Sequence, residues 1–178
     1  MAVLPILIYP DPLLKQVCEP VKEVDSETML FIADLLETLE SSPGCVGIAA
    51  PQVGMLKRII IIDAARHPKN FPNHGRMILI NPVIEWQEGE VLAREGCLSF
   101  PHLTANVKRA QRIRFKALNY QGQEIEVETS DFEARVVLHE ADHLDGILFL
   151  DRVSSLKTDV FRRKNYAPGT QKPEPPSP

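Results

Sequence analysis

The segment HEADH, His139 to His143, holds a set of catalytic parts at helical spacing. Residues four apart on an α-helix lie one turn above each other on the same face, so His139 and His143 can aim imidazole nitrogens at a single metal ion. Glu140 follows the first histidine by roughly 100° around the helix. That is near enough to handle a proton on a water at the metal and displaced enough not to be a ligand, which makes Glu140 the natural general base. A third ligand can come from EGCLSFP, Glu95 to Pro101, where Gly96 and Pro101 bracket a thiol in a stretch that cannot be regular helix. A lone cysteine is by default a buried small hydrophobe. Beside two histidines, Cys97 instead completes a site of two imidazoles and one thiolate whose fourth position stays open to water or substrate, the feature that separates catalytic from structural zinc-type sites.

The elements that must position these residues are legible around them. Ser130 and Glu133 have the form of a capping box, and Asp131 adds negative charge to the first turn, so residues 131 to 144 read as helix. Phe132, Val136, His139 and His143 share one stripe, which puts the ligands on the buried face, and Gly146 is placed to stop the helix. Asp142 faces away from both histidines and needs a partner if buried; Arg109 is the expected one. Gly44 to Gly54, GCVGIAAPQVG, is rich in small residues and has no helical or alternating period. Such density means that backbone comes close to something, either another element or a ligand. The main chain at Gly47 could pair with an extended peptide, and the Gln52 amide could donate to a developing oxyanion.

The remaining chain reads as scaffold. Four prolines between residues 5 and 20 forbid a long helix and suggest an extended arm. A helix is expected from Asp25 or Ser26 to about Glu40, with Met29, Ile32, Ala33, Leu36 and Leu39 as its apolar stripe. Arg58 to Asp63 reads as a buried strand, and 64 to 76 as a polar loop whose His67 and His74 are solvated. Strands follow around 77 to 86, with Trp86 as a packing anchor, and 89 to 93. Residues 112–120 and 123–129 form a hairpin through Gln121 and Gly122, with Ile113, Phe115, Ala117, Ile125 and Val127 pointing one way. Leu148 to Asp151 is expected to be a last short strand. The domain is expected to span 1–166, followed by a disordered, proline-rich tail at 167–178.

Composition bounds the function. The chain has 178 residues, 44% of them hydrophobic, which is enough for one core, and its net charge of −4 argues against DNA binding. The apolar start is interrupted by Pro5, lacks a basic flank and is too short to span a bilayer, so the expected location is cytoplasmic, with no membrane association. Three cysteines are a poor disulfide framework and fit reduced thiols.

GCVGIAAPQ, EGCLSFP and LHEADHLDGILF, in this order, resemble the three signature motifs of the peptide deformylase family. The resemblance implies an α+β fold, with antiparallel β-strands around a central metal-binding helix. It also implies hydrolysis of the N-formyl group from the N-terminal formylmethionine of nascent polypeptides, with release of formate. Carried over by position, Cys97, His139 and His143 hold the metal and Glu140 is the general base. Gln52 and the backbone N–H of Leu98 stabilise the oxyanion, and Val46 and Gly47 meet the substrate. The implied ion is Fe2+, with Zn2+, Ni2+ or Co2+ as alternatives. The chain departs from the family at Cys45, where glycine is usual, and at Leu138, where glutamine is usual. An HExxH endopeptidase of the kind with a third histidine is disfavoured, because Phe149 stands where that ligand would be. Intact Glu140 and Gln52 argue against a purely structural metal. The basic run at 162–164 suggests an added contact with the ribosome.

Overall fold

A computed structural model describes residues 1–163; Lys164 of the basic run and the tail expected at 167–178 lie outside the described residues. Four consecutive isoleucines make strand β2, Ile59–Ile62, and all four are buried. A strand normally alternates between core and solvent, so a fully apolar run requires cover on both faces. The structure supplies it. Ile60 and Ile62 pack with Val136, Val137 and Leu144 of helix α2, Asp131–Leu144, while Ile59 and Ile61 pack with Ile32, Leu35 and Leu39 of helix α1, Ser26–Glu40.

β2 lies within a five-stranded antiparallel sheet. It pairs with β1, Gly47–Ala49, on one side and β3, Met77–Glu88, on the other. Beyond β3 come β6, Arg112–Leu118, and β7, Glu124–Ser130, so that β1 and β7 are the edges. The expected hairpin is present, with Phe115 opposite Val127 and Ala117 opposite Ile125. A second sheet of three strands joins β4, Val91–Cys97, β5, Phe100–Arg109, and β8, Val160–Arg162. Its core gathers Cys97, Phe100, Ala105 and Val107 with Leu14, Leu148 and Phe149. Antiparallel sheets around the helix that carries HEADH are the fold expected, and no described helix is long and apolar enough to cross a membrane.

Several local expectations are corrected. The buried face of α1 is Ile32, Leu35, Thr38 and Leu39; Met29 is exposed, because the contact face is turned toward position 35 relative to the stripe read from the sequence. Leu148–Asp151 is not a strand. Residues Phe149–Arg152 form a 3₁₀ turn, because the Asp151 carboxylate accepts from the Leu148 N–H at 2.8 Å and closes the chain on itself. The last strand is β8, whose short sequence gives little periodic signal. Trp86 is only half-buried and sits on the sheet surface with the guanidinium groups of Arg112 and Arg114 each 5.7 Å from its ring. The capping box fails as well. Ser130 is the N-cap without a side-chain bond, and Glu133 is fully buried and used elsewhere.

Candidate active site

Cys97 is the last residue of β4, presented from a strand end, and α2 brings His139, Glu140 and His143 to it. Ligand atoms of Cys97, His139 and His143 all lie within 4.8 Å of one another, and the three residues are buried. The Cys97 Sγ is 3.4 Å from His143 Nε2. This is the one such cluster among the described residues, and its donor set of one sulfur and two imidazoles fits a single transition-metal ion.

The second layer explains why the ligands stay in place. Glu95, two residues before the thiol, lies 2.8 Å from His139 Nδ1. Burial works against a charge on Glu95, yet hydrogen bonds from His139 and Arg109 outweigh it and hold the carboxyl well below the usual range. An ionised Glu95 can only accept, so His139 donates from Nδ1 and turns Nε2 toward the thiol, the arrangement usual for metal-ligating histidines. Arg109 binds Glu95 through Nε and Nη2 at 2.7 and 2.9 Å, and reaches Asp142 through Nη1 at 2.8 Å. The expected Arg109–Asp142 pair is thus present, joined by Arg152 on the same carboxylate. Arg135 adds a further ion pair to Glu95.

Glu140 lies beside the ligands with Oε2 buried and unbonded among the described residues. Burial pushes its carboxyl up to about 7, partly offset by the charges of His139 and Arg109. A carboxyl poised there can both accept and return a proton near neutral pH. The two histidines respond in opposite senses. Burial also works against charge on His139, but its bonds with Cys97 and Glu95 hold its pKa well above the ordinary value, whereas burial holds that of His143 well below.

Gly47, the first residue of β1, is required by contact. A Cβ there would lie 2.9 Å from Glu140 Cγ, Glu140 Oε1 and Val136 Cγ1, closer than side chains approach. Gln52 sits in a buried 3₁₀ turn, Ala50–Val53, where its Oε1 accepts from the Ala49 N–H at 3.0 Å. Its Nε2 faces Ser99 Oγ at 3.2 Å and Cys97 Sγ at 3.4 Å. The amino-terminal arm, which the sequence gives no chemistry, braces this region: the N–H groups of Leu7 and Tyr9 donate to the carbonyls of Gln52 and Ser99. Gly47, Val46, Gln52, Cys97, Leu98, His139 and Glu140 line one cleft of about 240 Å³, and the buried His143 adjoins two of them, Cys97 and His139.

Other residues enter the site unannounced. His67 and His74 are not simply solvated. His67 packs against both rings of the stacked Phe71–Phe132 pair at the cleft wall. Nδ1 of His74 pairs with the buried Glu133, which also accepts from Thr129, so the 64–76 loop is pinned to the start of α2. No spacing rule flags such a pair. Glu95, by contrast, left a signal: an acidic residue directly before the Gly-Cys of a motif that is otherwise apolar. The two departures from the family pattern have structural uses. Leu138 joins the core between α2 and the sheet. The Cys45 thiol donates to the Gly47 carbonyl at 3.0 Å, and burial, with the charge of Glu140 adding, pushes its pKa up to about 12.

The sequence profile of the polypeptide deformylase family matches residues 3–159. A peptide deformylase of Thermodesulfovibrio yellowstonii is 44% identical over 164 residues, spanning 92% of this chain and 97% of the relative. The crystal structure of peptide deformylase from Thermotoga maritima superposes with a TM-score of 0.79 at 35% identity, covering 87% of this chain and all of that one. A class I type b peptide deformylase from Acinetobacter baumannii, bound to Met-Ala-Ser, superposes with a TM-score of 0.79 at 34% identity, over 85% of this chain and 99% of that one. Sequence, fold and clustered metal-ligand set agree, and the chain belongs to the peptide deformylase family, metal-dependent hydrolases that remove the formyl group from the N-terminal formylmethionine of nascent polypeptides.

Proposed function

We propose that Cys97, His139 and His143 hold one divalent ion, that Glu140 carries the proton, and that Gln52 with the Leu98 N–H receives the developing negative charge. The observation that carries this reading is the buried Glu140 Oε2, unbonded among the described residues, beside three ligand atoms within 4.8 Å of one another. When bound, the ion supplies Lewis acidity and lowers the pKa of water. Edge strand β1 has one side unpaired among the described residues, so the main chain at Val46 and Gly47 can take the formylated peptide as an added strand. Glu140 takes a proton from the attacking water as its oxygen bonds the formyl carbon. Gln52 then exchanges its contact with Ser99 or Cys97 for the formyl oxygen, a donor moved to where charge develops. Protonated Glu140 returns the proton to the peptide nitrogen as the C–N bond breaks, giving formate and a free amine.

The peptide substrate is supported by the A. baumannii relative bound to Met-Ala-Ser. For the ion we propose Fe2+, with Ni2+ or Co2+ as active substitutes and Zn2+ as a poorer one. A ferrous thiolate site is open to air oxidation, so the iron form should lose activity in air while the nickel and cobalt forms keep it. We place the reaction in the cytoplasm, near the ribosome from which nascent chains emerge. Residues 1–166 are the catalytic unit in this reading. The test is formate release from formyl-Met-Ala-Ser by protein purified without oxygen, with metal content measured alongside. Absence of formate from metal-loaded protein would overturn the reading.

A further inference from the structure

The catalytic cleft is also lined by three arginines, Arg94, Arg135 and Arg163. Arg135 is engaged, since it pairs with Glu95 and donates to the carbonyls of Val91 and Val107. Arg94 and Arg163 have no carboxylate partner among the described residues. Arg94 is nevertheless fixed: Nε donates to Asn106 at 3.0 Å, Nη1 to Thr104 at 3.3 Å, and its guanidinium carbon lies 3.7 Å above the Phe161 ring. That leaves Nη2 as its open edge. Arg163 folds over the backbone next to the ligand cysteine, with Nη2 only 2.4 Å from where a Cβ on Gly96 would sit, and its Nε is buried with no hydrogen-bond partner among the described residues. The acids of the cleft do not answer these charges. Glu95 is enclosed by Arg109, Arg135 and His139, and Glu140 is the proton carrier.

We propose that Arg94 and Arg163 form a carboxylate-binding subsite for the formylated peptide, engaging an acidic group within three residues beyond the formylmethionine. Gly44–Gly47 of the β1 side and Arg94–Leu98 line the same cleft, together with Arg163, so a peptide laid along β1 shares that cleft with both guanidinium groups. A planar guanidinium whose rotamer is already held by Phe161, Asn106 and Thr104 binds a carboxylate with little ordering left to do. The identity of the ligand as a peptide rests on the deformylase reading above. An Asp or Glu side chain and a free C-terminal carboxylate share the same chemistry.

The experiment titrates metal-loaded protein with Met-Ala-Glu-amide, Met-Ala-Gln-amide, Met-Ala-Lys-amide and Met-Ala-Gln with a free terminus, and measures kcat/KM for the formylated forms. The Glu peptide is expected to bind about tenfold tighter than the Lys peptide at low ionic strength, the scale of a bidentate but solvent-accessible pair. The preference should lie in Kd and KM with kcat unaffected, and it should shrink as salt is added. It should fall toward one in Arg94→Gln combined with Arg163→Gln, and persist in part in Arg94→Lys, which keeps the charge. Arg163→Gln alone, at the edge of the cleft, provides a reduction that does not depend on the Phe161 packing. Tighter binding of the free-terminus peptide than of its amide assigns the subsite to the terminal carboxylate as well. A Glu to Lys ratio near one in the parent, or an unchanged ratio in the double variant, overturns the subsite. Formate release without that preference leaves the deformylase reading intact, and the preference without formate release overturns only that reading.

Discussion

The Glu95 carboxylate accepts from His139 Nδ1 at 2.8 Å while Arg109 holds both of its oxygens, so one buried acid fixes a metal-ligand ring and ties it to the three-stranded sheet. Glu95→Gln removes the charge that secures the ring. Loss of such an outer partner weakens metal affinity by about 10–100-fold. Competition with a chelator should show this, and parent-like metal retention would mean that the ring is held by packing alone. Arg109 and Arg135 also lose their shared counter-charge, a change that typically costs about 3–5 kcal/mol when one partner of a buried pair is removed, and urea denaturation should register it.

Glu140→Gln keeps the shape of the side chain but removes the carboxylate proposed as the proton acceptor. Turnover should fall by about 10²–10⁴-fold, with metal content unchanged. Near-normal formate release from this variant would assign the base to another group.

The raised carboxyl of Glu140 also sets a pH dependence for the metal-free protein. Folded, it titrates at about 7; its ordinary value is 4.5. Below 4.5 both states hold the proton, between 4.5 and 7 only the folded state does, and above 7 neither does. The unfolded state therefore binds fewer protons in that window, so stability falls as pH rises through it and levels off above. Glu140→Gln lacks this titration. Its urea midpoint should gain on that of the parent from pH 4.5 to 7 and run parallel above. Curves parallel throughout would show that Glu140 titrates normally.

Gly47→Ala places a methyl group 2.9 Å from Glu140 and Val136, inside the distance at which side chains pack. Either β1 or Glu140 must shift, and a misplacement of a catalytic group by about 1 Å can cost 10²-fold in rate. A steady-state measurement should find kcat reduced with metal content intact. Unaltered kcat would place the proton carrier elsewhere.

The sequence by itself determined the parts of the site whose geometry is local. His139, Glu140 and His143 are fixed relative to one another by the helical repeat, and the four isoleucines of β2 announced a buried strand. Cys97 was legible as a ligand because it could complete a site with the two histidines, and the flanking glycine and proline suited its presentation from a loop or strand end. What tertiary structure decided are relationships between distant segments with no common period. Glu95, 44 residues from His139, becomes its hydrogen-bond partner only because β4 ends beside α2. Glu133 fits a capping box in sequence, yet it turns instead to His74 and Thr129, since a buried carboxylate takes the strongest donors that packing brings to it. The strand expected at Leu148 became a turn for a comparable reason. Asp151 found the Leu148 N–H within its own segment, and the edge of the second sheet was left to β8.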